Sequence, residues 1–203
     1  MPTDAHAPIR PAIPPMAVRL LSVDDYRKMV GSGLFPWIER TELLEGWIVL
    51  KMTKNPPHEV ACALVQQAIG LILPDAFHGR GQSAITLDGS EPEPDFAVVR
   101  GGIRDYLGRH PGPGEVLIVV EVSESSLHDD RKIKGRIYAR SGIPQYWLVN
   151  LVDQIIEVRT DPTGPTARPR YRHQTDYGAG GLIPLLLDGL NPAQGIAVDD
   201  LLP

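Results

Sequence analysis

The sequence predicts an α/β domain, and three observations carry that expectation. Val116 to Val122 is a nearly continuous apolar run that ends in a carboxylate, the pattern of a central strand covered on both faces. Val60, Ala61, Leu64, Val65, Ala68, Ile69 and Ile72 recur at the three- and four-residue spacing of a helix with one buried face. A second helical stretch, Asp129 to Ser141, leads through Gly142 and Pro144 into another apolar strand, Gln145 to Asn150. The chain's 203 residues suit a single domain over 18–203, preceded by a flexible arm over 1–17, which carries five prolines and no periodicity.

Taken in order, Ser22 with Asp25 predicts a capped helix that Gly31 to Gly33 ends. Thr41 to Leu44 and Trp47 to Met52 flank Glu45-Gly46 and predict a β-hairpin. Asn55-Pro56-Pro57 breaks the chain, Pro57 suits a first helical position, and Pro74 stops that helix. Gln82 to Leu87 and Phe96 to Val99 are short strand candidates around an acidic turn, Asp88 to Asp95. After the central strand and the second helix, Gln145 to Asn150 and Gln154 to Arg159 form strands about a turn near Asp153, with Arg170 to Gln174 as a further candidate. Gly135 weakens the second helix slightly. The segment from Gly181 to Pro203 offers a short apolar strand and a terminal turn, Val198 to Leu202, without a clear place.

Composition excludes several classes. No apolar run approaches the ~20 residues that span a bilayer. One cysteine, Cys62, forms no internal disulfide, and the first 20 residues lack the apolar run of a signal peptide, so a cytoplasmic location is expected. No glycine-rich phosphate loop is present, since Gly101-Gly102 and Gly112 with Gly114 lack a strand-to-helix setting. One cysteine without clustered histidines argues against structural zinc. The net charge is −5, but residues 61–130 hold eleven acids against four arginines. Arg131, Lys132, Lys134, Arg136 and Arg140 follow at once, and Arg168, Arg170, Arg172 and His173 form a second basic cluster. An acidic centre between basic flanks suits a cation facing an anionic ligand; an unevenly charged surface explains the totals equally well.

Glu121 is the most informative residue, because an ionised carboxylate at the end of an apolar strand is costly without a partner. Alternation places it on one face with Leu117, Val119 and Ser123, at the strand's C-terminal end, where α/β proteins often build sites. An edge carboxylate reaching water is the competing reading. Asp95, directly before Phe96-Ala-Val-Val, is a second acid delivered by a second strand. If the strands are neighbours, the two could share a hard divalent cation such as magnesium. Lys134, on the following helix, would balance the site and orient a water or steady phosphate charge. A plain helical ion pair with Asp130 competes for it. Trp47, Tyr146 and Trp147 could stack bases, though core packing is favoured for each. The loop from Arg100 to Gly114 reads either as a flap over the site or as a linker.

Six blocks in order then resemble a known family: Glu42 to Gly46, Pro56 to His58, Glu93 to Asp95, Val120 to Ser123, Asp130 to Lys134 and Tyr138 to Asn150. They are similar to the Uma family of restriction-endonuclease-like proteins, within the PD-(D/E)XK nuclease superfamily. The resemblance covers roughly residues 20–200. It implies a restriction-endonuclease-like core, a central mixed β-sheet flanked by helices. It also implies that Asp95 and Glu121 bind Mg2+ or Mn2+ with the Val122 carbonyl, while Lys134 takes the place of the superfamily lysine, whose usual position holds Ser123. Glu42 and His58 match family motif positions, with supporting roles at most; for His58 a helix-start role without catalysis is favoured.

The leading functional expectation is Mg-dependent endonuclease cleavage of DNA phosphodiesters, with Asp95, Glu121 and Lys134 catalytic. Cutting both strands would make a homodimer reasonable. The alternatives are a catalytically silent module on the same fold that binds nucleic acid or protein, and a metal-dependent hydrolase of another anionic substrate.

Overall fold

The structure, a computed structural model, describes residues 17–187, 189 and 195–203, so all but Ala17 of the expected N-terminal arm lies outside the described residues. Helix α1 (Val23–Ser32) starts at a reciprocal cap: Ser22 Oγ accepts from Asp25 N at 3.0 Å, and Asp25 Oδ2 accepts from Ser22 N. It ends at Gly33 in the left-handed conformation. The hairpin forms as expected, β1 (Thr41–Leu44) against β2 (Trp47–Leu50), with Glu45 and Gly46 both at positive φ, as a tight two-residue turn requires. Helix α2 (Pro56–Gly70) is capped by Asn55 and buries Ala61, Val65 and Ile69.

The centre is a six-stranded mixed sheet in the order β3 (Phe77–Gly81), β4 (Phe96–Arg100), β5 (Val116–Ser123), β6 (Gln145–Asn150), β7 (Ile155–Pro162), β8 (Tyr171–Tyr177). Only β5 and β6 run parallel, joined by a helical crossover. That crossover comprises α3 (Leu127–Asp129), a π-helical turn over Asp130–Lys134, and α4 (Gly135–Arg140). One face of the sheet is covered by α2 and a small pair, β9 (Leu182–Pro184) with β10 (Gly195–Ala197); the other by α4, Leu44 of the hairpin, and Ile85 and Leu87. β5, the expected central strand, is covered on both faces.

Two expectations need correction. Gln82 to Leu87 pairs with no strand of the sheet. Gln82 turns the chain at positive φ, Ile85 N donates to the Pro92 carbonyl and Thr86 N to the Pro111 carbonyl, so the alternation of Ile85 and Leu87 reflects burial against loops. The strand that forms is its neighbour β3, whose sequence FHGRG carries no apolar alternation. Gly79 lets it pair, since a Cβ there would lie 2.4 Å from the Phe96 ring. Leu117 does not share the face of Val119. The β4–β5 register slips between Val98 and Val99, making Leu117 the extra residue of a bulge, so Val116 packs with Val119 instead. Gly135, which weakens the helix by propensity, has a packing reason: a Cβ would meet Arg159 Nη1 at 3.0 Å.

Candidate active site

The sheet and the crossover bring the expected acids together. Phe96 pairs with Val120, so the antiparallel ladder leaves Asp95 opposite Glu121 at its end. Asp95 Oδ2 accepts from Val122 N at 2.9 Å, tying the acid before β4 to the backbone beside Glu121. Glu42, Asp95, Glu121, Val122 and Lys134 all line one cleft of about 980 Å³, whose other wall is the β1–β2 hairpin.

Lys134 decides between the two readings of its role. Its Nζ lies 3.1 Å from Glu121 Oε1, 3.4 Å from Glu42 Oε1 and 3.8 Å from Asp130 Oδ1. The local helical pair is the longest of the three, and the ammonium is centred on the strand-end acids. The π-turn that ends at Lys134 inserts an extra residue into this stretch of helix, and such turns often occur at functional sites. Glu121 also accepts from Tyr138 Oη at 2.6 Å, and Ser123 Oγ donates to Asp130 Oδ2 at 2.6 Å. Ser123, standing where the superfamily has lysine, thus orients an acid that Lys134 touches. Glu42, on β1, accepts from Glu93 N as well, and Lys51 pairs with Glu93 at 2.7 Å.

The electrostatics follow from one buried ammonium among four acids. Burial works against the charge of Lys134, yet Glu121, Glu42, Asp130 and Asp95 outweigh it and hold the amine protonated. Burial pushes the Glu121 carboxyl well above its ordinary 4.5, and Asp130, Asp95 and Glu42 add to the rise that Lys134 opposes. Burial pushes Asp95 up too, but the His58 hydrogen bond and charge, the Val122 N–H and Lys134 bring it below 3.8. Burial, then Glu121 and Glu42, raise the Tyr138 phenol, which stays a proton donor. Hard oxygen donors with too little cationic charge among them fit a divalent cation held by Asp95 and Glu121.

Other residues land differently from their expected places. His58 caps nothing by its side chain: Nε2 lies 3.2 Å from Asp95 Oδ2, and Nδ1 lies 3.5 Å from Cys62 Sγ. His58 does stand at the helix start, where its N–H donates to Asn55 Oδ1 at 3.1 Å, and its ring reaches Asp95 as well. Lys54 reaches Asp95 Oδ1 at 3.5 Å. Tyr146 and Trp147 are core, as expected, whereas Trp47 is 45% exposed and lines the cleft. The loop over 100–114 is no flap. It lies at the end of β4 away from Asp95, roughly five strand residues or ~17 Å off, and none of its residues lines the cleft. The basic clusters are largely engaged: Arg136 and Arg140 pair with Glu45, Arg131 with Glu157, and Arg172 and His173, on the far strand β8, with Asp161 of β7. Tyr138 and Lys54 are the site neighbours that sequence reasoning missed, while Asp130, expected as a helical partner of Lys134, also joins the site through Ser123. Tyr138 had a signal, standing one helical turn after Lys134; Lys54 had none.

With this geometry in place, the comparison with protein families is decisive. The sequence pattern of the Uma2 family, described as a putative restriction endonuclease, matches residues 23–190. The chain belongs to the Uma2 family. None of the curated proteins compared matches it. Among solved structures, a putative nuclease belonging to DUF820 from Anabaena variabilis is 15% identical, with a TM-score of 0.59 over 89% of this chain and 97% of that one. That likeness shows a shared fold, the mixed-sheet α/β nuclease fold implied by the sequence blocks. Among the described residues, no helix of this Uma2 member is long and apolar enough to cross a membrane.

Proposed function

We propose that this chain is a metal-dependent DNA endonuclease, hydrolysing phosphodiester bonds with Mg2+ or Mn2+ held by Asp95, Glu121 and the Val122 carbonyl. The observation that carries this reading is the placement of Lys134 Nζ 3.1 Å from Glu121 in a cleft that also presents Asp95. A bound cation supplies charge neutralisation at the scissile phosphate and a more acidic water. The protein's own groups do the rest. Tyr138 fixes the Glu121 carboxylate through Oη, and the Val122 N–H fixes Asp95. Lys134, held protonated, donates hydrogen bonds to an attacking water or to a phosphate oxygen as negative charge grows there. Asp130, itself held by Ser123, and Glu42 keep the ammonium aimed at the strand ends. Action on DNA in the cytoplasm, by a homodimer with one site per strand, completes the proposal.

The test is cleavage of supercoiled and linear DNA by the purified chain in Mg2+, in Mn2+ and in chelator, with Asp95→Asn and Lys134→Ala beside it. Cutting that needs metal and is lost in both variants is expected. Cutting by Asp95→Asn at the wild-type rate would remove the metal assignment, and DNA binding without cutting in any metal would favour a silent module.

A further inference from the structure

One cluster at the edge of the cleft offers chemistry that hydrolysis does not use. His58 and Cys62 stand one helical turn apart on the first turns of α2, so their side chains share a face, and that face meets Asp95 at the start of β4. A ring nitrogen, the thiol sulfur and a carboxylate oxygen all lie within 4.8 Å of one another. Cys62 Sγ lies 3.5 Å from His58 Nδ1 and Asp95 Oδ2 lies 3.2 Å from His58 Nε2, so the ring stands between the thiol and the carboxylate, and a small shift draws one ligand atom from each residue to an ion with bonds of about 2.0–2.3 Å. Magnesium, which wants hard oxygens in octahedral array, has no use for a thiol or an imidazole. Zinc prefers this mixture of sulfur, nitrogen and oxygen, with a fourth position left to water.

We propose that His58, Cys62 and Asp95 form a zinc site that overlaps the hydrolytic centre and excludes its cation. Binding replaces the Cys62 S–H proton, which leaves to solvent, with a zinc–sulfur bond. One His58 nitrogen turns to the ion, and Asp95 Oδ2 exchanges its contact with His58 for a bond to zinc. Asp95 then serves zinc in place of the pair with Glu121. The inhibitory consequence rests on the nuclease reading; the binding itself does not.

The experiment separates the two. Cobalt, zinc's spectroscopic stand-in, is titrated into the full chain, and zinc affinity is read by displacement of that cobalt. A thiolate-to-cobalt charge-transfer band is expected in the wild type and not in Cys62→Ser. Loss of this ligand weakens zinc by at least about tenfold, the lower bound for changes even in the outer shell of a metal site. His58→Gln, checked by thermal melting for an intact fold, weakens zinc as well. In the DNA arm, zinc added over magnesium stops cleavage by the wild type, while Cys62→Ser cuts at the wild-type rate and resists zinc. A cobalt complex without the charge-transfer band, or one that Cys62→Ser leaves unchanged, overturns the site. An intact band with no magnesium-supported cleavage on any DNA supports the zinc site and overturns the nuclease reading alone.

Discussion

Two clusters of buried charge flank the crossover after β5, and they are balanced in opposite senses. On the side toward β7, Glu157 is 1% exposed and receives Arg131 Nε at 2.8 Å, Arg159 Nη2 at 2.9 Å and Asn150 Nδ2 at 3.3 Å. Two guanidinium groups serve one carboxylate. On the cleft side, Glu121 is 3% exposed and shares one lysine with Glu42 and Asp130. Burial raises both carboxyls; at Glu157 the two arginine hydrogen bonds reverse the shift, and at Glu121 the single ammonium does not. A charge network that is only structural supplies its counter-charge from within. A cluster left short of cations at the mouth of a cleft has room for one from outside.

The widest difference should be in catalysis. Lys134→Ala is expected to slow metal-dependent cleavage by about 10²–10⁴-fold, the range for loss of a positioned proton-handling group. Arg131→Ala, a cation of the same helix facing the other cluster, should leave the single-turnover rate unchanged. Equal losses in the two variants would mean that the helix as a whole, rather than Lys134, supports the rate.

In stability the order inverts. Glu157→Gln strands two guanidinium groups and should cost about 2–3 kcal/mol in urea denaturation. That is less than the ~3–5 kcal/mol of a sealed pair, because about a third of Arg131 remains in water, which screens it. Glu121→Gln removes an acid from a site that has too many, keeps an acceptor for Tyr138, and should cost nothing in metal-free buffer. A loss at Glu121 as large as that at Glu157 would break the comparison.

Their pH dependences should also run in opposite directions. The folded carboxyl of Glu157 sits below its unfolded value near 4.5, so its contribution is present above that pH and is lost as pH falls through the folded value. The folded carboxyl of Glu121 sits above 4.5, so the folded state binds more protons there, and stability falls as pH rises from about 4.5 through the folded value. Metal-free wild type should therefore lose ground to Glu121→Gln as pH rises from 4.5, and the gap should close when Mg2+ is added. Parallel stability curves for the two proteins would place the raised carboxyl elsewhere in the cluster.

The two clusters also differ in how far they could be read from sequence. Asp95 and Glu121 were legible because each ends an apolar strand, where a charge stands out against its neighbours. Lys134 was legible through the spacing of its helix and the order of the family blocks. Glu157 was hidden: Gln154 to Arg159 reads as a strand, but nothing local says that Glu157 points inward to meet arginines 26 and 2 residues away. The same limit explains the strand errors. Ile85 and Leu87 alternate as a strand does, but the pairing partner is set by the turn at Gln82. β3 forms because Phe96 covers Gly79, a long-range contact with no trace in FHGRG. For His58 the helix-start position is local and legible, whereas its contact with Asp95 spans 37 residues of chain and is not.

The smallest effect expected belongs to the loop that might have been a flap. Arg109 makes two contacts of 2.6 Å with Glu115 and lies over the Tyr106 ring, and with the Gly112 N–H it holds the Glu115 carboxyl down to about 2. The geometry is better than that of any pair in the cleft, yet half of the arginine side chain is exposed, and water and salt screen such pairs. Arg109→Ala should therefore shift the urea midpoint less than Glu157→Gln does. What shift there is should be full above about pH 4.5 and fade as pH falls toward 2, the window over which the wild-type pair loses its carboxylate. Because this loop sits at the end of β4 opposite Asp95, cleavage should not change at all. A fall in cleavage with an unchanged midpoint would show that the loop reaches the substrate after all, and that the site extends along the sheet rather than ending at the cleft.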